Sequence, residues 1–322
     1  MTEIEYRTLG RSGLRVSSIG LGGNNFGRQG TVTETQQGTD AVINTAIELG
    51  VTLIDTADMY GGTPGLSETL LGHSLKGRRD RVVLASKFGH PGVDMGFPSW
   101  GAKGSRQYIR RAVEDSLRRL QTDHIDLYQL HVPDPITPIA ETIDALEDLV
   151  TQGKILYFGH SNLAGWQIAE AELTATLNGT AHFVSAQNEY SLLAREAEKE
   201  VLPAVNHFGL GFLPYFPLYN GLFTGKFSRT GGPADSRIVR QRPHLMENAP
   251  WDRIEQFEEW AAARDLSILE ATFGWLLAQP GLSSVIAGAT KPEQLEQNAA
   301  ASVKWTPTTD EVAEISELFA PS

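Results

Sequence analysis

Four residues of this sequence carry side chains that can together protonate a carbonyl oxygen: Asp55, Tyr60, Lys87 and His131. Three of them follow short apolar runs, and Tyr60 lies five residues beyond Asp55. A lysine cation beside a phenol favours the phenolate, so we expect Lys87 to lower the Tyr60 pKa from about 10. Such a tyrosine can give its proton to a developing alkoxide, and His131 would supply a second donor to the same oxygen.

Asp55 and Lys87 are expected to leave adjacent strands and to point into one mouth. An isolated ion in such a place is costly to desolvate, so the two should form an ion pair. Taken singly, each residue has a common structural explanation, because an ion pair can simply brace a barrel and a histidine can be a buried core residue. The prediction of catalysis therefore depends on all four residues meeting at neighbouring strand ends.

A tyrosine acid becomes part of a reductase only if a hydride source is bound beside it. Ser161, Asn162 and Gln187 follow two further apolar runs and can hydrogen-bond the carboxamide of a nicotinamide. Tyr215 follows another run and can stack on the nicotinamide ring.

Other polar residues receive no catalytic role. We interpret Asp58 as an acid on the surface of a loop and Glu68 as the start of a helix. The absence of Cys excludes disulfides, thiolate zinc sites and a cysteine nucleophile. We predict no metal site, since no pair at metal-ligand spacing is found for His73, His182, His207 and His244.

Eight apolar runs must position these residues, and most are short and apolar throughout, as parallel strands buried on both faces are. They span Ser18–Leu21, Val51–Ile54, Val82–Ala85, Ile125–Leu130, Ile155–Phe158, Phe183–Ala186, Leu210–Pro214 and Ser284–Ile286. Amphipathic segments between them predict helices over Gln37–Leu49, Glu68–Leu75, Gln107–Leu120, Pro138–Val150, Trp166–Ala175 and Glu196–Asn206. This alternation predicts an α/β protein with a (β/α)₈ TIM barrel in one domain over residues 1–322.

Local signals refine this prediction. Ser105 and Thr137 are typical helix starts, and Gly50 and Gly153 typical helix stops. Residues 5–17 predict a β-hairpin that caps the barrel bottom, and residues 217–250 a long Gly/Pro-rich loop at the carboxyl face. The alternative, a doubly wound sheet, lacks its usual fingerprint, because Asn25 stands where the pattern G-x-G-x-x-G, begun at Gly20, requires its third glycine.

Composition restricts the class of partner. The formal net charge of −12, from 39 acidic and 27 basic side chains, argues against a general binder of nucleic acid. Residues 1–10 do not resemble a signal peptide, and the longest apolar region, 208–223, is interrupted by Gly and Pro and shorter than the about 20 residues that span a bilayer. We expect a cytoplasmic protein that acts on a small carbonyl compound without membrane or nucleic acid. The sequence predicts no oligomeric state.

With these motifs the chain resembles the aldo-keto reductase superfamily from Arg7 to Asn298. The most specific segments are Ile54–Gly61, Ser86-Lys87, Leu130-His131 and Ser161-Asn162, followed by Gln187–Tyr190, Leu222–Lys226, Ile286–Ala289 and Glu293–Asn298. The resemblance implies a barrel that binds NADPH across its carboxyl face, Tyr60 as proton donor, Lys87 and Asp55 as its tuning pair, and His131 as the residue that positions the carbonyl. The insertion after Tyr215 is similar to the branch with bacterial reductases and potassium-channel β subunits.

The resemblance also implies a set of cofactor contacts. Near the nicotinamide they are Gly23, Asn24, Asp55, Ser161, Asn162, Gln187 and Tyr215. Along the pyrophosphate they are Phe216, Pro217, Leu218, Gly221 and Lys226. Around the adenosine 2′-phosphate they are Arg237, Gly288, Thr290, Lys291, Gln294, Gln297 and Asn298.

Three of these positions depart from the family pattern. Phe216 stands where many relatives have Ser, Gln297 where many have Glu, and Gln294 where some branches have Arg. Loss of an arginine that would pair with a phosphate weakens the preference for NADP. We expect NADPH as the cofactor, with NADH as the alternative.

Two other functions compete with the reductase. One is a cofactor-binding regulatory module like the potassium-channel β subunits, which can keep the same four residues. The other is a Schiff-base aldolase with Lys87 as nucleophile, which pairing with Asp55 disfavours because it keeps the amine protonated. The sequence does not predict the substrate. The residues expected to line its pocket, or alternatively to pack under loops, are Asn25, Met59, Phe88, Trp100 and Tyr190.

Overall fold

The structure is a computed structural model that describes residues 3–92, 94, 96, 102–234 and 236–320, and for Arg237 the backbone alone. The strands are β1 (Tyr6–Thr8), β2 (Arg15–Ser17), β3 (Ile19–Gly22), β4 (Leu53–Asp55), β5 (Val83–Phe88), β6 (Ile125–Leu130), β7 (Ile155–Ser161), β8 (Ser185–Gln187), β9 (Gly211–Phe212) and β10 (Val285–Gly288). The helices are α1 (Gln36–Leu49), α2 (Leu66–Ser74), α3 (Arg106–Leu120), α4 (Ile139–Thr151), α5 (Gly165–Asn178), α6 (Val201–Phe208), α7 (Arg237–Gln241), α8 (His244–Glu247), α9 (Trp251–Ala262), α10 (Ile268–Leu277), α11 (Pro292–Ser302) and α12 (Thr309–Leu318).

The strands β3 to β10 form a parallel sheet of eight strands in the order β10-β3-β4-β5-β6-β7-β8-β9. The two ends of this order also meet, through parallel bridges from Phe212 to Leu282 and from Tyr215 to Ile286. The Ile286 N–H donates to the Pro214 carbonyl at 3.0 Å. The sheet therefore closes on itself, and the predicted (β/α)₈ barrel is confirmed.

The interior of the barrel changes from apolar to polar along β4, β5 and β6. Leu53, Ala85 and Leu127 belong to one buried apolar cluster near the start of their strands. Because side chains of a strand alternate between its two faces, the residues two places further on point into the same interior. These are Asp55, Lys87 and Gln129, at the carboxyl ends of β4, β5 and β6.

The N-terminal hairpin fills the opposite end of the barrel, as predicted. β1 pairs antiparallel with β2, with Tyr6 opposite Ser17. Leu9 and Val16 are fully buried in the apolar cluster at the barrel bottom. Gly10 has φ +57°, and a Cβ on it would lie 2.5 Å from the Gly211 nitrogen, so only glycine lets this turn approach β9 so closely.

Most predicted helix ends are confirmed. Ser105 caps α3, since its Oγ accepts from the Tyr108 N–H at 3.3 Å. Gly50 and Gly153 end their helices with φ of 78° and 70°. The prediction for Thr137 is wrong, because α4 begins at Ile139 and the Thr137 hydroxyl donates to the Asp134 carboxylate instead.

The segment 217–250 is less irregular than its Gly and Pro content indicated. It contains the two short helices α7 and α8, and a 3₁₀ segment at Tyr219–Thr224. In the part of the chain that the structure describes, no helix is long and apolar enough to cross a membrane.

Candidate active site

The four predicted catalytic residues meet at the carboxyl end of the barrel. Lys87 Nζ lies 2.5 Å from Asp55 Oδ2, and both side chains are buried. The same ammonium donates to the Thr56 carbonyl at 3.0 Å and reaches the Tyr60 hydroxyl at 3.5 Å. The expected ion pair is therefore present, and the phenol is the third neighbour of the cation.

Two glutamines hold the other oxygen of the Asp55 carboxylate. Gln129 Nε2 donates to Asp55 Oδ1 at 3.2 Å, and Gln187 Nε2 donates to the same atom at 3.0 Å. Both side chains are buried. With Lys87 on Oδ2, this carboxylate is fixed in one orientation, and the desolvation cost of the buried charge is offset by three donors.

Gln129 was not among the predicted site residues, because it lies inside the apolar run Ile125–Leu130. The available signal was its position two residues before His131 and two after Leu127, on the inward face of β6. Gln187 was predicted to hold a nicotinamide carboxamide. Its amide nitrogen is directed at Asp55, which leaves its carbonyl oxygen for such a contact.

The sign of the expected Tyr60 pKa shift is wrong. Burial raises the pKa of Tyr60, and although Lys87 acts in the opposite direction as predicted, its effect does not outweigh burial together with Asp55. Desolvation of a phenolate at this half-buried position costs more than the neighbouring cation returns. The resting side chain is thus a neutral phenol that keeps its proton.

Lys87 is a cation in this arrangement. Burial lowers the pKa of the ammonium, but the Asp55 carboxylate and Tyr60 more than compensate, so the pKa of Lys87 is raised overall. A protonated amine is no nucleophile, which argues against a Schiff-base aldolase.

His131 is the neutral member of the cluster. Burial, followed by the nearby Lys87 cation, lowers the pKa of His131 to about 2. Its ring makes an edge contact with Tyr60, with centroids 5.7 Å apart, and a second contact with His90 at 5.1 Å. Within the described residues, His131 Nδ1 is buried without a hydrogen-bond partner.

Asn162 ties three strand ends together. Its Nδ2 donates to the His131 carbonyl at 2.9 Å, and its Oδ1 accepts from the Tyr215 hydroxyl at 2.9 Å. Its φ of 63° lies in the left-handed region, which Asn adopts more readily than most residues. The Ser161 hydroxyl in turn donates to the Gln187 carbonyl at 2.7 Å. Four of the residues predicted around the nicotinamide, Ser161, Asn162, Gln187 and Tyr215, are therefore adjacent.

The remaining predicted cofactor residues lie at the end of β10, in α7 and α11, and on the loops after β3, β9 and β10, which are neighbours in the closed barrel. Gly288 is exposed at the end of β10, and a Cβ there would lie 2.9 Å from Asn25 Nδ2. Gln294 Oε1 accepts from the Thr290 N–H at 2.8 Å. The side chain of Arg237 lies outside the described residues.

The interpretation of Asp58 as a surface acid is wrong. Its side chain is buried, and its Oδ2 has no hydrogen-bond partner among the described residues. Burial, followed by the nearby Glu68 carboxylate, raises the pKa of Asp58 to about 7. Glu68 lies in the first turn of α2, as predicted, but its side chain is buried and is contacted by the Ser86 hydroxyl at 2.5 Å and by the Arg119 guanidinium at 2.6 Å.

The candidate substrate residues separate into two groups. Phe88 and Tyr190 are fully buried and stack on Tyr128 and Trp275, so they belong to the core. Asn25 and Met59 are partly exposed and remain candidates for the pocket. Trp100 lies outside the described residues.

The sequence profile of the Aldo/keto reductase family matches residues 18–320. The match includes every barrel strand and all four residues of the cluster around Lys87. The chain belongs to the aldo/keto reductase family. Membership in this family supports an oxidoreductase activity for this protein.

Several individual proteins are similar to this member of the aldo/keto reductase family. Aldo-keto reductase YhdN of Bacillus subtilis (strain 168) is 36% identical over 91% of this chain and 87% of its own length. L-glyceraldehyde 3-phosphate reductase of Escherichia coli (strain K12) is 32% identical over 99% of this chain and 93% of its own. A probable voltage-gated potassium channel subunit beta of Oryza sativa subsp. japonica is 31% identical over 92% and 90%.

Proposed function

We propose that this protein reduces aldehydes or ketones to alcohols, with NADPH as hydride donor and Tyr60 as the acid that protonates the carbonyl oxygen. The observation that carries the proposal is the Lys87 ammonium, which is buried between the Asp55 carboxylate and the Tyr60 hydroxyl. A fixed cation at this point stabilises the negative charge that Tyr60 acquires when it gives up its proton.

Each residue of the cluster has a distinct task. Tyr60 holds its proton at rest, because its pKa is raised by burial. As the substrate oxygen becomes an alkoxide, the O–H bond of Tyr60 breaks and the proton moves to that oxygen. Lys87 stabilises the phenolate that remains, and the Asp55 carboxylate keeps Lys87 charged. The alcohol and the phenolate are the products of this step, and solvent returns a proton to Tyr60.

His131 orients the substrate rather than titrating. A neutral imidazole has one N–H, which can donate to the same carbonyl oxygen as Tyr60. The depressed pKa of His131 keeps the ring neutral throughout the physiological range, so it adds a hydrogen bond without adding a second cation beside Lys87.

A bound nicotinamide cofactor would supply the hydride. Ser161, Gln187 and Tyr215 would hold its nicotinamide end, and the exposed cations Lys226 and Lys291 would meet its phosphates. These two lysines form no ion pair with any residue that the structure describes, so both remain available for an anion. Gly288 would also fit a bound cofactor, because the absence of a side chain leaves the backbone at the end of β10 open. A Cβ there would lie 2.9 Å from Asn25 Nδ2.

We assign NADPH rather than NADH as the preferred cofactor, with a modest difference in affinity between the two. The Gln294 carbonyl oxygen accepts from Thr290, so the group that Gln294 can offer to a phosphate is its neutral amide N–H₂ donor. A neutral donor binds a phosphate more weakly than a guanidinium does. Among the described side chains expected there, Lys291 is then the cation that distinguishes a 2′-phosphate from a hydroxyl.

The direct test is turnover by the purified protein. We expect oxidation of NADPH with one or more members of a panel of aromatic aldehydes, dicarbonyls and a phosphorylated aldehyde such as glyceraldehyde 3-phosphate. Parallel assays with NADH should give a lower kcat/KM. Absence of NADPH oxidation with the entire panel would contradict the proposed reaction.

The similarity to a potassium channel subunit beta supports a second candidate, a regulatory module that senses its cofactor. The residues around Lys87 do not distinguish the two functions, because both would use them to bind a nicotinamide. Turnover number does distinguish them. If the protein binds NADPH but completes no more than one turnover with any carbonyl, the regulatory interpretation replaces the enzyme.

A further inference from the structure

Three arginines that the sequence analysis did not select lie where the loop after β3 meets the segment 217–250. They are Arg28, Arg240 and Arg242. None of the three forms an ion pair with a carboxylate in the part of the chain that the structure describes. This contrasts with Arg79, Arg195 and Arg264, each of which is paired with an acid.

Arg28 is held by its own loop. Its Nη2 donates to the Asn24 carbonyl at 3.2 Å, and its side chain is half-buried. The loop is fixed to the Tyr60 loop, because the Gly62 N–H donates to the Gly27 carbonyl at 2.8 Å. Arg28 therefore contacts Asn24, beside the expected nicotinamide, and follows Gly27, which is hydrogen-bonded to the loop that carries the proposed acid.

Arg242 lies in the segment 217–250, directly after α7. Its Nη1 donates to Asn220 Oδ1 at 3.3 Å, and its guanidinium lies 5.6 Å from the centre of the Phe216 ring. Phe216 follows Tyr215, whose hydroxyl is fixed by Asn162. This cation is thus positioned by the stretch of chain that leaves β9.

The two guanidinium groups act on each other. Burial, followed by the charge of Arg242, lowers the pKa of Arg28 below the usual value for arginine. Arg240 adds a third cation, since a Cβ built on Gly30 would lie 3.7 Å from Arg240 Nη1. Among the described residues, two carboxylates border the region: Glu34, which accepts from the Gly30 N–H at 2.8 Å, and Glu189, whose pKa is raised by burial and lowered to a smaller extent by Arg242. Neither lies within ion-pair distance of an arginine of the group.

We propose that Arg28 and Arg242, with Arg240 at the rim, form a binding site for a phosphate group at the mouth of the barrel. Like charges placed together without a counterion repel one another, and a dianion between them removes that repulsion. Guanidinium groups match the geometry of phosphate oxygens through paired N–H donors. This phosphate site extends the proposed function. Only the source of the phosphate rests on that function.

Two molecules of the proposed reaction could bring this phosphate. One is the pyrophosphate of the cofactor, which has to cross the loops after β3, β9 and β10. The other is a phosphorylated aldehyde, whose phosphate would lie on the Arg28 side, near the Tyr60 loop. Both carry the same chemistry, and binding and kinetic measurements separate them.

The experiment compares Arg28→Gln, Arg242→Gln and the double variant with Arg118→Gln. Arg118 is exposed on α3 and paired with Asp115, so its replacement makes the same charge change far from the barrel mouth. Binding of NADPH and of inorganic pyrophosphate is measured by calorimetry without substrate. Then kcat/KM is measured for glyceraldehyde 3-phosphate and for glyceraldehyde.

If the cofactor provides the phosphate, each single variant should weaken NADPH and pyrophosphate binding by roughly 10- to 100-fold, with equal losses for the two aldehydes. If the substrate provides it, NADPH binding should stay unchanged, and only glyceraldehyde 3-phosphate should lose kcat/KM, by a similar factor. The proposal is overturned if both variants match Arg118→Gln in every measurement. Failure of the reductase proposal would appear differently, as intact pyrophosphate binding in a protein that turns over neither aldehyde.

Discussion

At the scale of single residues, the chemistry depends on one buried ammonium group. Lys87 is fully buried, and its charge is compensated by one carboxylate and directed at one phenol. A buried ion pair contributes little net stability, yet the loss of one partner leaves an uncompensated charge and is strongly destabilising. The pair is therefore better explained by function than by stability.

We expect Lys87→Met to lower kcat/KM by about 10²- to 10⁴-fold, because the phenolate of Tyr60 loses its stabilising cation. It should also lower the free energy of unfolding by about 3–5 kcal/mol, since Asp55 remains as an unpaired buried acid. Adding Asp55→Asn should restore much of the stability and none of the activity. Urea denaturation and steady-state kinetics of the two variants check this. A single variant as stable as the double variant would show that the pair is not coupled in this way.

Asp58 gives the fold a pH dependence of definite sign. An acid whose pKa is about 7 when folded and near its ordinary value of 3.8 when unfolded binds more protons in the native state between those values. Stability therefore falls as pH rises from about 4 to about 7, by up to roughly 4 kcal/mol for this group.

Asp58→Asn removes this titration. Compared with the wild type, the variant should gain more thermal stability at pH 8 than at pH 5, because only the higher pH forces a charge into the buried site. Melting curves at the two pH values measure the difference. An equal gain at both values would contradict a raised Asp58 pKa.

At the scale of elements, the strands explain why the site is where it is. Leu53, Ala85 and Leu127 are followed two residues later by Asp55, Lys87 and Gln129, so one strand period converts apolar packing into a polar cluster. The register of neighbouring strands places Lys87 opposite Gln129. The hairpin closes the apolar end of the same interior.

We expect Leu9→Ala to lower the free energy of unfolding by about 2–5 kcal/mol, because it opens a cavity in the cluster at the barrel bottom. The catalytic end is formed by other residues, so kcat well below the melting temperature should stay close to that of the wild type. Ile136→Ala is the matched control, since this apolar side chain is exposed and should cost little. A large loss of kcat in Leu9→Ala would show that the hairpin also shapes the active site.

Local sequence patterns were sufficient to predict the barrel and the N-terminal hairpin. They also predicted the cluster of Asp55, Tyr60, Lys87 and His131. All eight predicted strands overlap an observed one, because apolar runs and the glycines that end helices are local features. What escaped prediction depends on contacts between distant segments. Gln129 was hidden in an apolar run, and the sign of the Tyr60 shift required the burial of its ring. Arg28 and Arg242 are separated in sequence by six of the eight barrel strands.

At the scale of the whole molecule, closure between β9 and β10 brings the loops after β9, β10 and β3 side by side. An acidic chain can bind a polyanion here because cations are concentrated on these loops, while most acids lie elsewhere. Lys226, Lys291 and the arginines near Asn24 form this local exception to a net charge of −12.

The proposed cofactor preference predicts a difference in thermal stability. A ligand that binds the folded state alone, at one hundred times its dissociation constant, stabilises by about 2.7 kcal/mol. At equal concentration, NADPH should therefore raise the melting temperature more than NADH does. Lys291→Gln should reduce the NADPH shift toward that of NADH. Identical shifts for the two cofactors in the wild type would remove NADPH as the preferred one.

The central claim is that Tyr60 donates the proton, and replacement of its hydroxyl alone tests it most directly. Tyr60→Phe keeps the ring that contacts His131 and removes only the O–H group beside Lys87. We predict that kcat for carbonyl reduction falls by about 10²-fold or more, while the dissociation constant of NADPH changes little. Turnover by Tyr60→Phe at a rate close to that of the wild type would contradict the account.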